Sequence, residues 1–323
     1  MLEFSTLPLL DLTDPLRGQF KYQSSQFPGG EQFIRIDLES ASQQDPSVPT
    51  LIFTRLRNGD DVMKLLMAKN AMNQLGFDVR AAVLPYFPYG RQDRIVNSGE
   101  SFSVKVFAQL VNDHFDAIIT LDNHSPVTTA VLDANMEFSS HRAVADWIAK
   151  TLTPQTDGGV WDNQHEEIVI LAPDAGAVKR AEKVAKELKV KHPNWGIEVR
   201  YATKKRDLLS GKVLEVNCPK INNNEHVFVI DDICDGGRTF MELASDIRAG
   251  KDQPISLNLY VTHGIFSKGL EALFGYYDRI ATTDSFFSAA EYHDRFETYP
   301  KFHVINLFDA EPKTQSETED TAK

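Results

Sequence analysis

Short, almost wholly apolar runs recur along the chain at 51–53, 80–84, 117–121, 168–172, 227–230, 257–261 and 303–307. A strand covered by helices on both faces presents no polar side, so continuous apolar runs predict buried strands of a parallel sheet rather than half-solvated alternating ones. Between them, apolar residues return at helical spacing over 60–75, 103–112, 176–188 and 239–247. Strand and helix in alternation predict an α/β fold of mostly parallel sheets flanked by helices.

At 323 residues the chain is about twice a typical domain, and the pattern divides it into an α/β domain over 1–145 and a second over 146–308. The division falls near a stretch from 151 to 166 that carries Pro154, Gly158 and Gly159 and reads as an exposed connection. Residues 309–323 are polar, without apolar periodicity, and read as a tail.

Charge narrows the partners. The 34 Lys plus Arg against 46 Asp plus Glu leave a net charge of −12, which repels a long polyanion and excludes nucleic acid as the main partner. A small phosphate ligand needs only a few placed donors and is not excluded. The two cysteines, Cys218 and Cys234, provide no disulfide framework and fit a reducing cytoplasm. The sequence shows no basic-then-apolar leader and no run of about 18 apolar residues, so neither export nor a membrane span is expected.

Chemistry concentrates where the run 227–230 enters Asp231-Asp232-Ile233-Cys234-Asp235-Gly236-Gly237-Arg238-Thr239 and a helical pattern begins. Parallel α/β sheets bind ligands beyond the carboxyl ends of their strands. A Gly-rich turn opening a helix offers backbone N–H groups and a positive dipole end to a phosphate, and Thr239 adds a hydroxyl. The paired carboxylates cannot serve that phosphate. They can accept from the vicinal hydroxyls of a sugar or hold Mg²⁺ through water. An ordinary capped strand-to-helix turn is the bland alternative.

This segment resembles the ribose-5-phosphate loop of the phosphoribosyltransferase fold, and in particular that of the ribose-phosphate pyrophosphokinase family, which makes phosphoribosyl pyrophosphate (PRPP). Other segments carry the same resemblance. Pro85-Tyr86-Phe87-Pro88-Tyr89-Gly90-Arg91-Gln92-Asp93-Arg94 resembles the family's nucleotide-binding segment, with Arg91 a planar fork for phosphate oxygens and Gln92 both donor and acceptor. Asp122-Asn123-His124-Ser125 matches a strand end followed by an acidic residue and a histidine. Pro173-Asp174-Ala175-Gly176-Ala177-Val178-Lys179-Arg180 resembles the pyrophosphate loop, although Lys179 and Arg180 also suit a solvated basic helix face. Lys204 and Arg206 fall at the two cationic places of a catalytic flexible loop. Phe27-Pro28-Gly29-Gly30-Glu31 resembles the segment that contacts adenine, often across a subunit interface.

The resemblance implies two phosphoribosyltransferase-like domains and transfer of the pyrophosphoryl group of ATP to ribose 5-phosphate. It implies Lys204 and Arg206 as catalytic residues, and Phe27, Gly29, Glu31, Arg91 and Gln92 at ATP. Asp231, Asp232, Asp235, Gly236, Gly237, Arg238 and Thr239 would take ribose 5-phosphate, with His124 and Asp174 as metal ligands for Mg²⁺. It further implies a cytoplasmic homo-oligomer with the ATP site near a subunit interface. Three places depart from the family: Gly29 stands for Asp, Gly236 for Thr and Arg238 for Gly. Arg238 either grips the 5-phosphate or crowds the loop. Two other readings stay open: a catalytically silent regulatory homologue, and a transferase that consumes PRPP.

Overall fold

The computed structural model describes residues 9–13, 18–153, 166–206 and 213–308. The expected connection therefore lies mostly outside the described residues, as does the polar tail.

The N-terminal half contains β1 (Leu9–Asp11), a hairpin of β2 (Tyr22–Gln26) and β3 (Gln32–Ile36), α1 (Leu38–Ser42), β4 (Thr50–Phe53), α2 (Gly59–Gln74), β5 (Val79–Val83), α3 (Ser103–Asn112), β6 (Ala117–Leu121), α4 (Pro126–Val131) and β7 (Asn135–Phe138). Strands β1-β4-β5-β6-β7 form one parallel sheet. The chain continues through α5 (His141–Leu152), β8 (Glu167–Ala172), α6 (Val178–Lys191), β9 (Ile197–Tyr201), an antiparallel ribbon of β10 (Thr203–Arg206) and β11 (Val213–Asn217), β12 (Glu225–Cys234), α7 (Arg238–Ala249), β13 (Ser256–Gly264), α8 (Glu271–Phe274), β14 (Arg279–Thr283), α9 (Ala289–Phe296) and β15 (Phe302–Ile305). The second sheet, β15-β14-β13-β12-β8-β9, is parallel throughout.

The apolar runs behave as their composition dictates. Val227, Phe228, Val229 and Ile230 are wholly buried, with alternate side chains in the two clusters on opposite faces of the sheet. Helices begin where side chains satisfy orphan N–H groups: Asn58 accepts from Asp61 N ahead of α2, and Ser288 with Glu291 closes a capping box on α9.

The expected division between 145 and 146 falls inside α5. Val144, Ala145, Trp147, Ile148 and Leu152 of that helix pack with β8, α6 and β12, so α5 is part of the C-terminal core. The two halves meet face to face. Leu307 and Phe308 pack on Phe53, Val83 and Leu121 of the first sheet. The wholly buried Arg55 donates through Nε to Asp284 O at 2.6 Å, and Asp284 in turn accepts from the backbone N–H groups of Leu307 and Phe308. This seam brings the carboxyl ends of β5 and β6 against those of β12 and β13.

Candidate active site

Asp231 and Asp232 lie in the last part of β12, and Asp232 N donates to Asp231 Oδ1 at 2.8 Å. Across the seam His124, three residues past β6, places Nδ1 2.7 Å from Asp232 Oδ2. Arg180, from the first turn of α6, places Nη2 3.7 Å from the same oxygen. One carboxylate thus gathers a histidine from the first domain and a guanidinium from the second.

Burial opposes ionisation of Asp232. The hydrogen bond from His124 and the charge of Arg180 outweigh it and hold the carboxyl far below its usual range. Asp231 goes the other way: burial and the adjacent Asp232 charge push it well above that range. His124 is raised, first by its hydrogen bond to Asp232. The pair therefore shares its charge unequally, with Asp231 the member that takes up a proton first.

The backbone that presents His124 is itself constrained. Asp122 is buried with φ of 42°, a conformation that short acidic side chains tolerate when they bond locally. Its Oδ2 accepts from Ser140 N at 3.2 Å, from the Ser140 hydroxyl, and from Thr262 Oγ1 at 2.8 Å in the other domain. His263 Nε2 donates to Leu121 O at 3.0 Å. Burial holds His263 down to about 4, so it is a neutral structural residue across the physiological range.

Beyond the carboxylates, the loop turns through Asp235, Gly236 and Gly237 into α7. Gly237 has φ of 76°, a conformation that favours glycine, and a Cβ there would press on the Leu273 side chain at 3.2 Å. Asp235 accepts from Ser267 Oγ at 2.6 Å and from Arg91 Nη1 at 3.0 Å, and these contacts hold its carboxyl low. Arg91 belongs to the loop after β5. In that loop Gln92 N donates to Tyr89 O at 2.8 Å, and Tyr86 packs its ring edge on His263 and Phe286. The nucleotide-type loop and the ribose-phosphate-type loop therefore touch directly.

Asp174 closes the turn after β8, where Oδ1 accepts from Gly176 N at 3.0 Å, and its charge is felt at Asp231. Ala202 N donates to Ala172 O at 2.9 Å, so β10, carrying Lys204 and Arg206, starts beside that turn. The side chains of Lys204 and Arg206 lie outside the described residues. Phe27, Gly29 and Glu31 form the tip of the β2–β3 hairpin, with Phe27 N donating to Glu31 O at 2.8 Å and the Phe27 ring 53% exposed. Among the described residues the tip contacts none of the strand-end groups. Arg238 is 85% exposed, and its Nε donates to Glu242 at 2.7 Å.

Arg180 resolves the choice between a loop cation and a solvated face. Its side chain is only 16% exposed, and its buried Nε has no hydrogen-bond partner, whereas Lys179 is exposed. Sequence spacing could not separate these neighbours, because both sit in one basic helix opening. The bonds that tie Asp122 to Thr262 and Ser267 to Asp235 were not legible in the sequence, since each joins segments far apart along the chain.

The described residues contain no cluster of three metal-binding side chains. Mg²⁺ is commonly held by phosphate oxygens and water with one or two carboxylates, and the carboxylate of Asp174 suits that arrangement. His124 is committed to Asp232 and offers only its remaining ring nitrogen.

Known proteins resemble this chain over most of its length. A profile of the N-terminal domain of ribose phosphate pyrophosphokinase matches residues 18–114, and one of the phosphoribosyl transferase domain matches 141–251. The ribose-phosphate pyrophosphokinase of Methanopyrus kandleri is 29% identical over 265 residues, covering 80% of this chain and 82% of that protein. That of Thermococcus kodakarensis is 26% identical over 262 residues, covering 80% and 83%. The crystal structure of phosphoribosylpyrophosphate synthetase from Mycobacterium smegmatis superposes with a TM-score of 0.71 at 21% identity, over 93% of this chain and 94% of that one.

Proposed function

The chain belongs to the ribose-phosphate pyrophosphokinase family, and from that premise we propose that it transfers the pyrophosphoryl group of ATP to ribose 5-phosphate, giving PRPP and AMP. The observation that carries this reading is the seam itself. Arg91 and His124 from the first domain meet Asp235 and Asp232 from the second at 3.0 and 2.7 Å. A nucleotide loop and a sugar-phosphate loop held that close suit direct transfer between two bound substrates.

In this reading the anomeric oxygen of the sugar attacks the β-phosphorus of ATP. A bond forms from that oxygen to the β-phosphorus, the bond from the β-phosphorus to the α,β-bridging oxygen breaks, and AMP departs with the bond pair. The hydroxyl proton passes to solvent or a nearby carboxylate. Asp231 and Asp232 accept from the ribose hydroxyls and orient the attacking oxygen. Residues Asp235, Gly236, Gly237, Arg238 and Thr239 surround the 5-phosphate. Arg91 and Gln92 take ATP phosphates, while Phe27, Gly29 and Glu31 serve the adenine end. Lys204 and Arg206, on a ribbon that rises beside Asp174, neutralise charge that develops on the transferring group. When bound, Mg²⁺ would polarise the phosphoryl oxygens; Asp174 and His124 are the residues proposed to hold it.

The exposed Phe27, on a hairpin tip whose hydrogen bonds are all within the hairpin among the described residues, fits an ATP site near a subunit interface, hence a homo-oligomer. Two free cysteines fit the cytoplasm, and no helix of the described residues is long and apolar enough to cross a membrane. A PRPP-consuming transferase has no use for the Arg91 loop, and a silent homologue has no need to retain Lys204, Arg206, His124 and Asp174 together. The packing of α5 with the second sheet supports a domain division ahead of His141 in place of one at 145/146.

The direct test incubates the purified protein with ATP, Mg²⁺ and ribose 5-phosphate and measures AMP and PRPP. Ribose-dependent formation of both in equal amounts is expected. Its absence overturns the proposal.

A further inference from the structure

The three cations around the ribose-phosphate-type loop are differently engaged. Arg238 is held by Glu242, one helical turn on, and lies along the surface of α7. Arg91 is held by Asp235 Oδ2. Lys268, absent from the family resemblance, forms no hydrogen bond or ion pair among the described residues.

Its position is nonetheless fixed. Lys268 follows β13 on a turn stitched to the loop by Phe266 N donating to Cys234 O at 3.0 Å, Ser267 N to Asp235 O at 3.1 Å, and Ser267 Oγ to Asp235 Oδ1 at 2.6 Å. A Cβ added at Gly236 would stand 3.7 Å from Lys268 Cγ, so the lysine stem lies beside the open face of Gly236. The Lys268 charge helps hold Asp235 ionised. Yet both Asp235 oxygens already have donors, Ser267 on one and Arg91 on the other. An exposed ammonium, anchored by its stem and denied the nearest carboxylate, is left for an incoming anion.

We propose that Lys268 is the side-chain cation that recognises the 5-phosphate of ribose 5-phosphate, a role that rests on the reading of Asp235 to Thr239 as the phosphate loop. The N–H groups opening α7 approach the phosphate from the helix side. Lys268 closes over it from the β13 side and supplies the full positive charge that backbone donors lack. A sugar without the phosphate gains nothing from this residue.

Steady-state kinetics on full-length K268A and K268R test the assignment, with AMP release as the signal. The expected result for K268A is a KM for ribose 5-phosphate raised about tenfold, the loss of one charge-assisted contact. The KM for ATP and the melting temperature stay as in wild type, and K268R recovers most of the loss. A KM for ribose 5-phosphate within twofold of wild type in K268A overturns the proposal while leaving the activity intact. If wild type shows no turnover, the proposed function falls, and calorimetric titration with ribose 5-phosphate decides Lys268 separately. About tenfold weaker binding to K268A supports it; equal binding, or none by either protein, overturns it.

Discussion

Replacing Arg180 with Met removes the guanidinium that, among the described residues, stands beside the Asp231–Asp232 pair, while preserving most of the side-chain volume. The Nη2 atom lies 3.7 Å from Asp232 Oδ2 in a position only 16% exposed. Two unit charges about 4 Å apart interact by about 4 kcal/mol at an effective dielectric near 20. His124 remains on Asp232, so we take roughly half of this, about 2 kcal/mol, as the loss to the pair, which is close to 1.5 pH units. The sign follows from charge: losing a cation favours the neutral acid, so the carboxyl that protonates first, Asp231, does so at higher pH. The acid limb of kcat/KM for ribose 5-phosphate in R180M should therefore move up by about 1.5 units. The loss is about 30-fold on that limb and much smaller on the neutral plateau. R180K keeps the charge and should shift the limb by less than half as much. A folded R180M protein, checked by circular dichroism, whose acid limb coincides with that of wild type would refute the electrostatic role of Arg180.

Lys204→Ala should lower kcat about 10²-fold or more while the KM for ATP changes little, measured by AMP release; equal losses in binding and turnover would contradict action on the transferring group. Arg55→Met breaks a buried contact between domains in which the guanidinium Nη2 is 3.7 Å from Asp284 Oδ2 and neither side chain is exposed. A cost of about 3–5 kcal/mol is expected, seen as a melting temperature lower by about 5–15 °C in scanning calorimetry. His124→Gln tests linkage. The raised folded pKa of His124 contributes stability that is full below its unfolded value near 6.5 and is lost as pH rises through the folded value. Urea midpoints from pH 5 to 9 should thus fall toward alkaline pH in wild type and stay flatter in H124Q, and parallel curves would contradict the pairing with Asp232.

The parts of this fold that could be read from the sequence are those whose environment is uniform. A run such as Val227 to Ile230 is apolar because both faces of its strand are covered, and no other context is needed to interpret it. Strand β9, Ile197–Tyr201, alternates Ile, Glu, Val, Arg and Tyr at the edge of the second sheet and so presents no continuous apolar run. Strand β14, with its Arg and two Thr, escaped for a similar reason, since its threonines are buried only by bonding to Thr262 O. Helix α5 lay across the expected division because a helix amphipathic toward a neighbouring domain looks like one amphipathic toward its own. In the site, Asp231, Asp232 and the glycine turn were legible because strand end, carboxylates and helix start are contiguous. Arg180, Asp122 and Lys268 were not, because each acquires its meaning from a partner far away in sequence.

That dependence on distant partners also alters the meaning of the chain's acidity. The net charge of −12 counts every carboxylate alike, but at the seam each cation of the first domain is held by a carboxylate of the second: Arg55 by Asp284, Arg91 by Asp235, His124 by Asp232. In the proposed function such pairs hold Arg91 and His124 in place before a substrate arrives, and they do so only when the domains are docked. An isolated N-terminal domain would leave Arg91 and His124 without these partners, so the docked pair of domains is the functional unit. On that reading the same carboxylates repel a long polyanion approaching from solvent, whereas a mononucleotide or sugar phosphate would enter the seam and exchange its own oxygens for those of Asp235 on Arg91. An acidic protein can in this way be selective for small phosphates, with its surplus negative charge acting as the filter.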